Sequence, residues 1–115
     1  MAVQVIFLSA QQETLPNTDT TVYQCPTTVD SAQVVFANCT NTTGAGVTLT
    51  VNVVENGGSV ATSNQYINAG TVAANSSDPL FDITGVILGP GDFISAIAGS
   101  ASALNLKIGI KQVSS

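Results

Sequence analysis

The chain has 115 residues, the length of one domain, and only 8% of them are charged, against about 25% in an ordinary globular domain. Lys107 and Lys111 are its only basic residues and the net charge is −5, which excludes nucleic-acid binding by phosphate neutralisation and attraction to anionic membranes. Histidine is absent, so the usual general base and the commonest metal ligand are missing too.

The opening run MAVQVIFLSA, residues 1–10, is apolar. It lacks the basic n-region of a signal peptide, and its apolar core of about seven residues is at the lower limit of an h-region. A membrane span would need about 20 apolar residues. Val3, Val5 and Phe7 alternate with Gln4, Ile6 and Leu8, the pattern of an extended arm or edge strand. With the polar stretch QQETLPNTD behind it, the segment 1–19 reads as an N-terminal arm and 20–115 as one β domain.

Thr20–Gln24 reads as a short strand stopped by Pro26. A strand over 33–38 follows, with Val34 and Phe36 expected on one face and Val35 and Ala37 on the other. The Asn/Thr/Gly-rich loop 40–46 leads into Val47–Val54, where Val47, Leu49, Val51 and Val53 alternate with Thr48, Thr50, Asn52 and Val54. Asn56-Gly57-Gly58 turns the chain towards a short strand near 59–62. Residues 65–74 form a strand with a bulge or break at Gly70, 76–79 a loop, and 80–88 an apolar segment interrupted by Gly85. The turn GPGD at 89–92 precedes a strand over 93–98, and GSAS at 99–102 precedes the last strand, 104–113. In that strand Leu104, Leu106, Ile108 and Ile110 face one way, and Asn105, Lys107, Gly109 and Lys111 the other. Seven or eight short strands with frequent turns predict an all-β fold, an antiparallel β-sandwich that is immunoglobulin-like or jelly-roll, with an extended N-terminal arm. The absence of Trp leaves the immunoglobulin Cys…Trp…Cys signature incomplete.

Cys25 and Cys39 are the only cysteines. If 20–25 and 31–40 paired as a hairpin around the turn 26–30, the two would lie about eight residues or ~26 Å apart at strand rise. A disulfide needs Cα atoms within ~7 Å, so two free, buried thiols are expected, as in a protein folded in a cytoplasm. Two cysteines without histidine do not make a zinc site. Asp78, Asp82 and Asp92 are the ingredients of a calcium site, but each also reads as a turn or outward strand residue. The glycines of TGAG and GPG match neither a dinucleotide fingerprint nor a P-loop. Three Asn-x-Ser/Thr triplets, at Asn38, Asn41 and Asn75, are unsurprising in so Asn- and Thr-rich a chain. Tyr23 and Tyr66 are the candidate platforms for a sugar ring, with Tyr23 expected half-buried and its hydroxyl wet. No catalytic, cofactor-binding or metal-binding residue is assigned.

The motifs TVYQCP, ANCTNTTGAGVTLTVNVV and LGPGDFISAIAGSASALNLKIGIKQV occur in an order that resembles the small β-sandwich virion proteins of tailed bacteriophages, head decoration (cement) or tail-associated. The resemblance spans 20–113; Pro90 and the apolar arm depart from it. It implies a non-enzymatic virion structural protein without cofactors, a capsid decoration protein stabilising the head. Its partners would be copies of itself, as a trimer, and the major capsid protein. Composition points the same way, since low-charge Thr/Asn/Ser faces suit packing against copies. Val3, Val5, Ile6, Phe7 and Leu8 are the expected intersubunit contact, by strand addition to a neighbour's sheet. The alternative is that they form the first strand of their own sandwich. A tail- or fibre-associated module and a carbohydrate-binding or adhesive module remain as other readings.

Overall fold

The computed structural model describes the backbone of residues 5–114 and the side chains of residues 11–113. Among the described residues nine strands are formed: β1 (Val5–Thr14), β2 (Thr20–Gln24), β3 (Ser31–Asn41), β4 (Val47–Val54), β5 (Gln65–Val72), β6 (Ser76–Pro79), β7 (Ile87–Leu88), β8 (Phe93–Ala98) and β9 (Leu104–Ser114). Every pairing is antiparallel. One sheet has the order β1-β9-β3-β6, with β7 also on β3; the other has the order β2-β8-β4-β5. β6 lies along residues 38–41 of β3 and β7 along residues 32–33, so the two are halves of one interrupted strand. Counted that way the chain is an eight-stranded jelly roll, which decides between the two sandwich types left open by the sequence.

The alternation of apolar residues builds the core between the sheets. Leu104, Leu106, Ile108 and Ile110 of β9 are fully buried, facing Val47, Leu49 and Val51 of β4 and Ile94, Ala96 and Ala98 of β8. Each large aliphatic side chain buried this way stabilises the fold by about 1.5–3 kcal/mol. Tyr23 in β2 accepts a hydrogen bond at 2.7 Å from Nε2 of Gln112 in β9, tying one sheet to the other. The outward positions of β4 are not all wet. Asn52 and Val54 lie on the outer face yet are 1% exposed, because the excursion 55–64 folds over them. Asn52 Nδ2 donates to the Ala61 carbonyl (2.8 Å) and to Asn64 Oδ1 (2.6 Å).

Several local expectations are corrected. Segments 20–25 and 31–40 do not form a hairpin: β2 pairs β8 and β3 pairs β9, so 25–30 crosses from one sheet to the other. Cys25 and Cys39 are nonetheless free and buried. Residues 59–62 form no strand, and a 3₁₀ turn at Thr62–Asn64 stands there instead. The supposed loop 76–79 is β6, and 80–86 is mostly turn. The break foreseen at Gly70 is a register shift between Leu49 and Val51 of β4, with Ala69 beside it at φ 50°.

The most consequential correction lies in β3. Val34 pairs with Ile110 and Phe36 with Gly109, leaving Val35 as an extra residue in a β-bulge. Val34 and Ala37 are buried while Val35 and Phe36 both face out, so Phe36 does not share a face with Val34. The ring of Phe36 lies over Gly109, where any Cβ would collide with it. An aromatic shielding a cross-strand glycine is a known way to hold a bulged register.

We expect Gly109→Ala to destabilise the fold by about 1–3 kcal/mol, the usual cost of overpacking, measured by denaturant unfolding. In a Phe36→Ala background the same change should cost much less, because the obstructing ring is gone.

Candidate functional site

Among the described residues no three His, Cys, Asp or Glu side chains converge as a metal cluster would require. The aspartates of the calcium alternative are apart in role. Asp92 holds turns, with Oδ2 accepting from Gly89 N–H and Oδ1 from Asn56 N–H, both at 2.9 Å. Asp78 sits in β6 opposite Cys39, and Asp82 is exposed in the turn that follows. Asn41, the middle glycosylation triplet, is buried with its amide fully used. Its Nδ2 donates to the carbonyls of Ala45 (2.8 Å) and Val72 (3.0 Å), and its Oδ1 accepts from Thr43 N–H (2.9 Å). Tyr23 is 7% exposed rather than half wet, and Tyr66 stands exposed without it. The two tyrosines therefore do not make a paired sugar platform.

The outer face of the β1-β9-β3-β6 sheet explains the Thr/Asn richness. Thr14 Oγ1 donates to Asn105 Oδ1 at 2.7 Å across β1 and β9, and the hydroxyls of Thr40 and Ser77 meet at 2.9 Å across β3 and β6. Such cross-strand pairs satisfy one another without charge.

What distinguishes the molecule is its edges. A sheet edge presents unpaired N–H and C=O groups, and most proteins blunt it with short strands, proline, lysine or bulges. β2 is five residues long, β6 four with a terminal proline, and β7 two. β5 is broken by the irregularity at Ala69–Gly70. β1 has none of these protections. It pairs with β9 without interruption over ten residue pairs, from Val5–Ser114 to Thr14–Asn105, and contains no proline, glycine or lysine. Among the described residues no strand lies on its other side.

Residues 5–14 thus run as an edge strand beside β9 of the same chain, one of the two courses the sequence left open. Of the expected contact residues, Val5, Ile6, Phe7 and Leu8 lie in β1 and pair in register with residues 111–114; Val3 lies outside the described residues. The register also adds positions that sequence reasoning missed. Leu15 N–H donates to the Leu104 carbonyl at 2.9 Å. Because backbone groups alternate in direction along a strand, those of Thr14 and Gln12 point to the open side. The missing signal was the pairing partner, which no local pattern reveals.

No protein-family model matches the chain, and no curated protein matches it in sequence. Solved structures match it in fold. A chain of the Bacillus endospore appendages, which form a family of disulfide-linked pili, superposes with a TM-score of 0.59 at 16% identity, over 97% of this chain and 89% of that one. A chain of the T13 particle of infectious bursal disease virus gives 0.54 at 9% identity, over 96% of this chain and 30% of the longer viral one. A chain of the cyanophage Pam1 capsid asymmetric unit gives 0.50 at 20% identity, over 97% of this chain and 86% of that one. What is shared at these identities is the fold: a β architecture of the kind found in viral capsid chains and in a spore appendage.

Both thiols of this chain are sealed. Burial, then the neighbouring Asp78 carboxylate, pushes the Cys39 thiol up to about 11. Burial, then Asp92, raises that of Cys25 against the opposing effect of the Gly91 amide. Neither should react with a disulfide reagent at pH 8 until the protein is unfolded, because the thiolate is the nucleophile and the site is closed. A raised folded-state value means that the unfolded chain loses its proton first. The contribution of Cys39 is therefore whole below its ordinary value of 9.0 and lost as pH rises through about 11. Unfolding measured across that window should show falling stability, with a shallower slope in Cys39→Ala.

Proposed function

We propose that the chain is a non-enzymatic structural protein of a virion, decorating the capsid and stabilising it through repeated contacts with copies of itself and with the major capsid protein. The observation that carries the reading is the open edge of β1, a ten-residue strand left unprotected when every other edge is short or interrupted. Such an edge takes a strand from a neighbouring subunit through backbone hydrogen bonds, with alternate side chains setting the register. Val3, Val5, Ile6, Phe7 and Leu8, together with the edge groups of Gln12 and Thr14, would form that intersubunit contact, so that 1–19 works as the attachment segment of the domain 20–115.

The likeness to a chain of a cyanophage capsid asymmetric unit supports this reading, because each chain covers most of the other. Assembly would be mechanical: many weak contacts, multiplied by symmetry, raise the barrier to opening the shell. The resemblance to the phage proteins suggests three copies per unit, folded in the host cytoplasm before joining the particle. The likeness to an endospore appendage offers a filament as the other kind of assembly. The disulfide linkage stated for those pili has no counterpart in the two buried thiols of this chain.

Particles purified by density gradient from the source of the chain should contain it in many copies, and antibody labelling should fall on the head. Label confined to a tail or fibre would replace decoration with a tail role, and recovery only as free protein would overturn the virion reading. Gln12→Pro removes an N–H on the open side of β1, where proline is tolerated. It should leave the fold intact by circular dichroism but abolish rebinding to particles stripped of the protein.

A further inference from the structure

β5 and β6 are the last strands of their sheets on the same side of the sandwich, and the chain crosses between them at 73–75. Between these two edges lies a cleft of about 390 Å³, within the range of small-ligand sites. Its floor is apolar, formed by the buried Leu49, Val72 and Leu80. Its rim carries Asp78, Phe81 and Asp82. The Phe81 side chain is 77% exposed, more than any other large hydrophobic among the described residues. A lone exposed hydrophobic is ordinary, but one at the mouth of an apolar cleft enlarges the surface that a ligand can bury.

The two carboxylates are not used by the fold. Among the described residues neither Asp78 nor Asp82 has a hydrogen-bond or ion-pair partner for its carboxylate, unlike Asp92, whose oxygens hold two turns. Asp78 is half-buried in β6, near enough to the Cys39 thiol to raise it. A carboxylate so placed attracts a cation more strongly than one in open water. Lys107 and Lys111 lie on β9, with β3 between them and β6. An apolar floor, an aromatic face and unmatched carboxylates together fit an amphipathic cation. Guanidinium fits best, because it is planar, stacks on a ring and donates several N–H groups to carboxylates. An ammonium is a compact point charge without that fork. These 115 residues include no arginine, so a second copy of them cannot supply the group.

We propose that the cleft between β5 and β6 docks an arginine side chain of a different protein, its guanidinium paired with Asp78 and Asp82 and stacked on Phe81. The alkyl stem and an adjoining apolar residue of that partner cover Leu49, Val72 and Leu80. Charge complementarity steers the partner to this side of the molecule, and the stacked, bidentate geometry selects arginine over lysine. The site is separate from the β1 edge and does not rest on the virion reading.

The probe is a fluorophore-labelled peptide with one arginine between two leucines, titrated with the full chain and read by fluorescence polarisation. It should bind, and more weakly as salt rises. Replacing its arginine by citrulline, which keeps the shape and loses the charge, should weaken binding by about tenfold or more. Replacing it by lysine should weaken binding by about threefold or more. Asp78→Asn and Asp82→Asn should each cost about fivefold, and Phe81→Ala about threefold. Glu55→Gln makes the same change of charge at an exposed side chain outside the cleft and should stay within about twofold of wild type. No binding at millimolar peptide, or equal binding of the citrulline or lysine peptide, would overturn the proposal. So would unchanged binding in Asp82→Asn and Phe81→Ala, or an equal loss in Glu55→Gln, which would reduce the attraction to overall charge. Should Asp78→Asn fail to fold by circular dichroism, the exposed positions Phe81 and Asp82 decide the outcome.

Discussion

The position of β9 between β1 and β3 is the constraint on which the rest of the molecule depends. β9 pairs along almost its whole length on both sides, with residues 5–14 on one and 31–41 on the other. It also buries Leu104, Leu106, Ile108 and Ile110 in the core. The first strand and the last are thereby neighbours, and the sheet is completed only when the end of the chain has been placed. Contacts of such sequence separation are entropically costly to close, and they make folding slow for the size of the domain. The same arrangement decides what is left over. With β9 interior, β1 becomes the outer strand of its sheet, and its unpaired backbone groups become the available surface.

The bulge in β3 follows from the same crowding. Phe36 and Gly109 meet across β3 and β9 where a ring and a Cβ have no room together, and the extra residue Val35 lets the ladder resume with its inward face intact. Two apolar side chains are turned out at the point where the neighbouring strand breaks into β6 and β7.

Two of the loops are held by side-chain amides rather than by charge, in keeping with a composition so poor in ions. Asn41 anchors the 41–46 loop to β5 through the Val72 carbonyl, and Asn52 and Asn64 clamp the 55–64 excursion over β4. Among the described residues no buried side-chain polar atom lacks a hydrogen-bond partner. Neutral networks of this sort avoid the desolvation that buried charges would suffer.

The sequence by itself determined the class of fold and the lining of its core. The two-residue period in 47–54 and 104–113 places Val47, Leu49, Val51, Leu104, Leu106, Ile108 and Ile110 inside, because successive side chains of a strand must point to opposite faces. The turns at 56–58, 89–92 and 99–102 were legible for a similarly local reason, as were two thiols left unbonded, although the hairpin used to argue their separation does not exist. Tertiary structure decided everything that depends on which strand lies beside which. It set β2 and β3 in opposite sheets, made 76–79 a strand because β3 offered it an edge, covered Asn52 and Val54, and shifted Phe36 to the outer face. The edge of β1 and the outward turn of Phe36 belong to this second group. An edge is defined by the partner that is missing, and a bulge by the residue opposite, and neither is written in the residues that form them.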